Sequence, residues 1–284
     1  MKKILVPTDF SDNASKALDY AVAIAAKANA EIILLNTFAA ADTTMSPARA
    51  LVEEYNRSIE ADAHEQLKAL KQNAEANSSV EIVIKFINGG TKDSILNLAA
   101  EEKVDLIVMG TRGTSGIERM LWGSTTTSVI GNSSVPVLAI PRGAGWKGIK
   151  NILFATRAFQ ANDNTFGPIL QLAELEGATV HLVIFTDTDD KDLVNYLEHS
   201  RLFYAYQDKL PARYKHLTFK VEHLEGKEFY ETINQYVEEQ AIDLMVMSTH
   251  KRNFWQSLFN RSMTKKMTMY SDIPLLALPA EDEE

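Results

Sequence analysis

The sequence predicts an α/β chain made of two tandem open sheets, each of five parallel strands with helices on both faces. Three observations carry this. The chain is written twice, each copy alternates short apolar runs with helical segments, and the apolar runs lack the polar alternation of half-exposed strands.

The repeat comes first. "KKILVPTDFS" from residue 2 matches "IKNILFATRAF" from residue 149, with Ile4 on Ile152 and Thr8 on Thr156. The same offset aligns "ANAEIILL" from residue 28 with "EGATVHLV" from residue 176. A smaller offset aligns "VDLIVMGT" from residue 104 with "IDLMVMST" from residue 242 and runs without a gap to "VPVLAIP" and "IPLLALP". Two units, each about half the chain, point to an ancestral duplication rather than a solenoid. A length of 284 residues suits two domains, each able to bury its own core. They are expected at 1–142 and 148–280, joined by "PRGAGWKG" at 141–148, which has three glycines and no periodicity.

Within the first unit, the runs 3–7, 31–37, 80–87, 104–109 and 136–140 are rich in Val, Ile and Leu and read as strands buried on both faces. "SDNASKALDYAVAIAAKA" reads as a helix capped by Ser11. "ALVEEYNRSIEADAHEQLKALKQNAEA" reads as a long amphipathic helix with its charges on one side, and "KDSILNLAAEEK" as a short one. A last helix starts at Ser124 and runs to about Gly131. Strand–helix–strand units build parallel sheets through right-handed crossovers. Ligands of such sheets bind beyond the carboxyl ends of the strands, where the strand order reverses.

Composition sets outer bounds. The chain is 45% hydrophobic and 24% charged, ordinary for a globular protein. It contains no cysteine, which excludes a disulfide framework and thiolate chemistry and suits the cytoplasm. "MKKILVPTDFS" reads as a strand rather than a signal segment, so the mature chain is expected to begin near residue 1. No apolar run reaches the length of a membrane span. A net charge of −9 argues against a general nucleic-acid binder.

The stretch "GTRGTSGIERMLWGSTTTS", residues 110–128, carries the chemistry. Gly110 and Gly113 permit positive φ and close backbone approach. Gly123 opens the start of a helix whose first N–H groups, at Ser124, Thr125 and Thr126, have no intrahelical acceptor. Those groups, the helix dipole, the hydroxyls from Ser124 to Thr127 and the charge of Arg112 suit a phosphate chain. A glycine-rich connector before a well-capped helix is the alternative. The pattern is neither a P-loop nor a G-x-G-x-x-G fingerprint. "VPTDFS" puts Pro7, Thr8 and Asp9 at the carboxyl end of the first strand. If strands one and four are neighbours, Asp9 and Gly110 face one crevice. There Asp9, as a buried-edge carboxylate, reads a base or sugar or helps to hold a metal; the alternative is that it caps the first helix.

Gly110-x2-Gly113-x9-Gly123-Ser124, between "VDLIVMG" and "SVPVLAIP" and following "ILVPTDFS", resembles the nucleotide-binding signature of the universal stress protein family. The duplicated chain resembles tandem members of that family. The resemblance implies a Rossmann-like sheet of order 3-2-1-4-5 and ATP in the first unit. It places Pro7, Thr8 and Asp9 near the adenosine and the backbone of Thr37 at the adenine. Met109, Gly110, Arg112 and Gly113 would line ribose and phosphates, and Gly123, Ser124 and Thr125 would hold the phosphate tail. Mg²⁺ would accompany the triphosphate. Thr37 stands where the family often has an apolar residue.

The second unit departs from this pattern. Ser248 replaces Gly110, Lys251 replaces Gly113, Arg261 replaces Gly123 and Arg157 replaces Asp9, while Ser262 keeps its type. It is expected not to bind ATP in the family manner. Lys251, Arg252, Arg261, Lys265 and Lys266, with His250 among them, form a solvated basic face, a remodelled anion site or a partner surface. Elsewhere signals are weak. His216 and His223 flank "LTFKVE" on opposite faces, "DTDDKD" lacks the glycine and glutamate of a calcium loop, and Trp255 and Phe254 are interface or packing residues.

The leading expectation is an ATP-binding stress-response or regulatory module. Its units would pair as a pseudo-dimer near the final strands of each, with homodimerisation and a further protein partner compatible with that arrangement. No membrane and no nucleic acid is expected. Slow ATP hydrolysis or phosphotransfer at the same site, for which Asp9 is the one candidate base although its position suits the nucleoside end better, and a scaffold with a vestigial site, are the alternatives.

Overall fold

A computed structural model describes residues 1–40, 49–111, 123–156, 163–189, 193–248 and 273–279. The chain divides into two compact units, Met1–Arg142 and Gly143–Glu284.

The first unit runs β1 (Lys3–Pro7), α1 (Asp12–Ala28), β2 (Glu31–Phe38), α2 (Arg49–Ala76), β3 (Ile82–Asn88), α3 (Thr91–Glu101), β4 (Leu106–Gly110), α4 (Ser124–Asn132) and β5 (Val137–Ile140). All its strand pairs are parallel, in the order β3-β2-β1-β4-β5. Ile4 therefore lies between Ile32 of β2 and Leu106 of β4. Chain order reverses across β1, which opens the crevice at the carboxyl ends of β1 and β4.

The reasons are local. Ile4, Leu5 and Val6 are wholly buried, as are Ile32, Leu34 and Leu35, because helices cover both faces. Ser11 adopts an extended conformation and its hydroxyl accepts the N–H of Ala14 at 3.2 Å, which starts α1. Asn29, in the left-handed region at φ 52°, ends it by donating its N–H to the Ala25 carbonyl. Between these caps Ala14, Ala17, Ala21 and Ala25 make one small-residue stripe that lets the helix approach the sheet, and Ile24 fills the contact. Full burial of Ile24 contributes about 2 kcal/mol. α2 behaves differently. Its buried residues are Ala63 and Leu67, while Leu51 and Tyr55 in its first turns are 68% and 59% exposed.

The second unit runs β6 (Asn151–Thr156), α5 (Asp163–Glu176), β7 (Thr179–Asp187), α6 (Leu193–Arg213), β8 (Thr218–Gly226), α7 (Phe229–Glu239), β9 (Leu244–Ser248) and β10 (Leu275–Leu278). Its parallel order is β8-β7-β6-β9-β10, the same order as in the first unit. One shared device marks the duplication. Asp105, just before β4, accepts the backbone N–H groups of Lys2 and Lys3, and Asp243, just before β9, accepts those of Lys150 and Asn151. In each unit a carboxylate thus ties the head of the fourth strand to the head of the first.

One expectation needs correcting. β8 begins at Thr218, so His216 lies before the strand and the opposite-face argument does not apply to it. His223 is in the strand, with Nε2 2.8 Å from the Thr186 hydroxyl. Among the described residues, no helix is long and apolar enough to cross a membrane.

Candidate functional site

The carboxyl end of β1 builds one wall. Pro7 is its last residue, paired with Leu35. Thr8 is buried and held on three sides. Its N–H donates to the Leu35 carbonyl at 2.8 Å, its carbonyl accepts from Asn36 Nδ2 at 2.8 Å, and its hydroxyl accepts the Phe10 N–H at 3.1 Å. Asn36 is the lone amide within the apolar run of β2, and its burial explains that choice.

Asp9 is exposed, not a buried-edge carboxylate, because β1 has already ended and the chain turns outward. Its Oδ1 accepts both the backbone N–H of Ser11 at 3.1 Å and the Ser11 hydroxyl at 2.6 Å. Ser11, not Asp9, is the cap of α1, and Asp9 holds the cap in place. Between them Phe10 sits at φ 63°, a left-handed conformation that costs a bulky residue about 1–3 kcal/mol. The bonds from Thr8 and Asp9 offset that strain.

β2 runs on past β1 to Phe38. The Leu35 carbonyl points at β1, so by strand alternation the backbone groups of Thr37 face the same side, beyond the end of β1. The Phe38 carbonyl faces the other way, accepting from Gly89 N–H at 2.9 Å. The Thr37 hydroxyl donates to Thr91 Oγ1 at 2.9 Å, at the first residue of α3, where the cap Gly90 has no side chain to offer.

The opposite wall is the end of β4. Met109 is buried and paired with Ala139. Gly110 is not a left-handed glycine; among the described glycines Gly148 and Gly177 have positive φ. Its lack of a side chain answers to α1, since a Cβ there would stand 2.9 Å from Asn13 Cγ. Close approach was expected at this glycine, and the approaching group is protein. Continuing the β1–β4 register from Ile4↔Leu106 and Leu5↔Ile107 sets Thr8 level with Gly110, so the structure brings the two expected walls together.

The loop between them, 112–122, with Arg112 and Gly113, lies outside the described residues, but its ends are joined. The Gly123 N–H donates to the Thr111 carbonyl at 2.6 Å. Gly123 is the extended N-cap of α4 and supplies no side-chain cap. The first helical bond runs from Thr127 N–H to the Gly123 carbonyl, so the N–H groups of Ser124, Thr125 and Thr126 precede the helical ladder. The hydroxyls divide. Thr126 donates to the Gly110 carbonyl at 2.8 Å and Thr127 to the Gly123 carbonyl at 3.0 Å, which leaves the exposed Ser124 and half-buried Thr125 as the pair suited to a ligand. The expectation that all four hydroxyls add donors is corrected accordingly.

Sequence reasoning missed Asn13 and Asn36, both buried polar residues, and assigned the buried Thr126 hydroxyl to a ligand rather than to the Gly110 carbonyl. The one available signal was an amide or hydroxyl inside an otherwise apolar pattern. In the second unit, Arg157, His250, Lys251, Arg252, Phe254, Trp255, Arg261, Ser262, Lys265 and Lys266 lie outside the described residues. Among the described residues, no group of three or more His, Asp or Glu is arranged to hold a metal ion.

Comparison with known proteins agrees with this architecture. The family model described as the universal stress protein family matches residues 1–141 and again 148–279. A universal stress protein of Methanocaldococcus jannaschii is 35% identical over 141 residues, covering 50% of this chain and 82% of that protein. The universal stress protein YxiE of Bacillus subtilis is 34% identical over 145 residues, covering 49% of this chain and 97% of the relative. A solved universal stress protein from Archaeoglobus fulgidus superimposes with a TM-score of 0.69 over 99% of this chain and 97% of its own, at 19% identity, a likeness of fold.

Proposed function

Because the chain belongs to the universal stress protein family, we propose that its first unit binds ATP in the crevice between β1 and β4 and acts as a nucleotide-dependent stress-response or regulatory module of the cytoplasm. The observation that carries the reading is the start of α4. Its first N–H groups, with the Ser124 and Thr125 hydroxyls, belong to a helical turn bonded to Thr111 and Gly110 at the end of β4, the strand paired with β1.

In this reading Pro7, Thr8 and Asp9 frame the adenosine, and the backbone of Thr37 meets the adenine from the strand that outruns β1. Met109 and Gly110 contribute backbone, with Arg112 and Gly113 following toward ribose and phosphates. Gly123, Ser124 and Thr125 take the phosphate tail. Mg²⁺ would arrive on the triphosphate, held by phosphate oxygens together with water, and would offset the phosphate charge. Bound nucleotide would stabilise the first unit in proportion to its occupancy, and that differential affinity is the only lever by which it can shift a partner equilibrium. Asp9, the candidate base for hydrolysis, is already committed to Ser11, which favours binding over catalysis. The second unit, with side chains at every glycine position of the signature, would hold no ATP.

Native mass spectrometry of the purified chain, with Gly123→Val beside it, tests the reading. One ATP per chain, lost in the variant, is the expected result. Two per chain would overturn the silence of the second unit. No uptake from millimolar ATP would overturn the site, and ADP produced above background would restore the enzymatic alternative.

A further inference from the structure

Thr126 is the third residue of α4 and is 3% exposed. A helical threonine commonly turns its hydroxyl back to its own preceding turn, as Thr127 does to Gly123. The Thr126 hydroxyl instead leaves the helix and donates to the carbonyl of Gly110, the last residue of β4. That acceptor is itself immobilised. Gly110 lies against Asn13, and the Ile140 carbonyl accepts both Asn13 Nδ2 and the Thr111 N–H, each at 2.9 Å. The first turn of α4 is therefore fastened to β4 at two points, Gly123 to Thr111 through the backbone and Thr126 to Gly110 through a side chain. The end of β4 is in turn fastened to α1 and β5.

We propose that Thr126 is a positioning residue for phosphate binding: its hydroxyl fixes the rotation and height of α4 against β4, so that the N–H groups of Ser124 and Thr125 are aimed before a triphosphate arrives. The proposal rests on the nucleotide reading above. Donors aligned in advance need no ordering on binding, whereas a helix held by Gly123 alone can pivot about that bond. Asn13 serves the same end from the other side, by holding the strand that carries the acceptor. Valine matches threonine in shape but has no hydroxyl, so it would release α4 and leave the Gly110 carbonyl without this donor.

The test is calorimetric titration of wild type, Thr126→Val and Thr126→Ser with ATP and, separately, with adenosine, after urea unfolding has verified that each is folded. Loss of one buried hydrogen bond and its alignment should weaken ATP binding about tenfold in the valine variant. Adenosine, which does not reach α4, should bind unchanged, and serine should restore ATP binding. Unchanged ATP affinity in Thr126→Val, parallel loss of ATP and adenosine, or failure of serine to restore binding would each overturn the positioning role. If the valine variant does not fold, Thr126→Ala replaces it with the same expected split. A wild-type chain that takes neither ATP nor adenosine overturns the nucleotide reading itself, a result distinct from the others.

Discussion

Asn13 and Gly110 fit together without room for another atom: a Cβ on Gly110 would lie 2.9 Å from Asn13 Cγ and 3.1 Å from the Asn13 backbone carbonyl carbon. The amide cannot swing away freely, because its Nδ2 is bonded to the Ile140 carbonyl. Gly110→Ala should therefore destabilise the folded chain by about 1–3 kcal/mol, the usual range for overpacking a tight contact. The loss would appear as a lower urea midpoint with nucleotide absent. Combining it with Asn13→Ala should cost less than the two single changes added together, since the clash and its partner are removed at once. A Gly110→Ala chain as stable as wild type would mean the contact is soft.

The cap of α1 is a two-residue device. Ser11→Ala removes the hydroxyl that accepts the Ala14 N–H and should cost about 1 kcal/mol. Asp9→Ala should cost less in the nucleotide-free chain, because the cap survives and only its brace is lost. Under the proposed function Asp9→Ala should weaken adenosine binding as well. Thermal unfolding with and without nucleotide separates the two effects. Equal stability losses for both variants would contradict the assigned roles.

The second unit contains a buried polar pair at positions that are apolar in the first. His181 and Tyr236 take the places of Ile33 and Leu98 when the repeats are aligned, and all four are buried. His181 Nδ1 lies 2.9 Å from the Tyr236 hydroxyl, and Nε2 lies 3.3 Å from Asn151 Oδ1. Burial holds the imidazole below its ordinary value of 6.5, nearby Lys220 pushes the same way, and Glu222 opposes them. Burial first, then Glu222, raises the Tyr236 phenol, so it stays protonated. As the pH falls, the unfolded chain takes up the His181 proton before the folded chain does. Stability is full above about pH 6.5 and is lost as the pH drops toward the lowered folded value. Urea unfolding at about pH 7.5 and about pH 5.5 should show this loss in wild type, and a smaller one in His181→Ile with Tyr236→Leu, the residues of the first unit. Identical pH dependence in the two chains would sink the assignment.

Much of this molecule was legible in the residues. The offsets that align "VDLIVMG" with "IDLMVMS" and "VLAI" with "LLAL" land on strands whose bounds match residue for residue, Leu106–Gly110 with Leu244–Ser248 and Val137–Ile140 with Leu275–Leu278. Ser11 as the cap and Ser124 as the start of α4 were also readable, because caps are decided by a few neighbouring residues. The spacing of Gly110 and Gly123 pointed to the crevice for the same reason: a strand end and a helix start are local features.

What each residue does there was not local. Gly110 is a glycine because α1 brings Asn13 against it from a distant part of the chain, and no pattern around residue 110 contains Asn13. Thr126 and Thr127 are neighbours of the same type, yet one bonds to β4 and the other to its own helix, a division set by which side of α4 faces the sheet. Asp9 became a brace rather than a buried carboxylate because β1 ends two residues earlier. Periodicity and caps place the elements, since each depends on a residue's immediate neighbours. Hydrogen-bond partners and close contacts follow from packing between elements, which brings together groups that no local window holds.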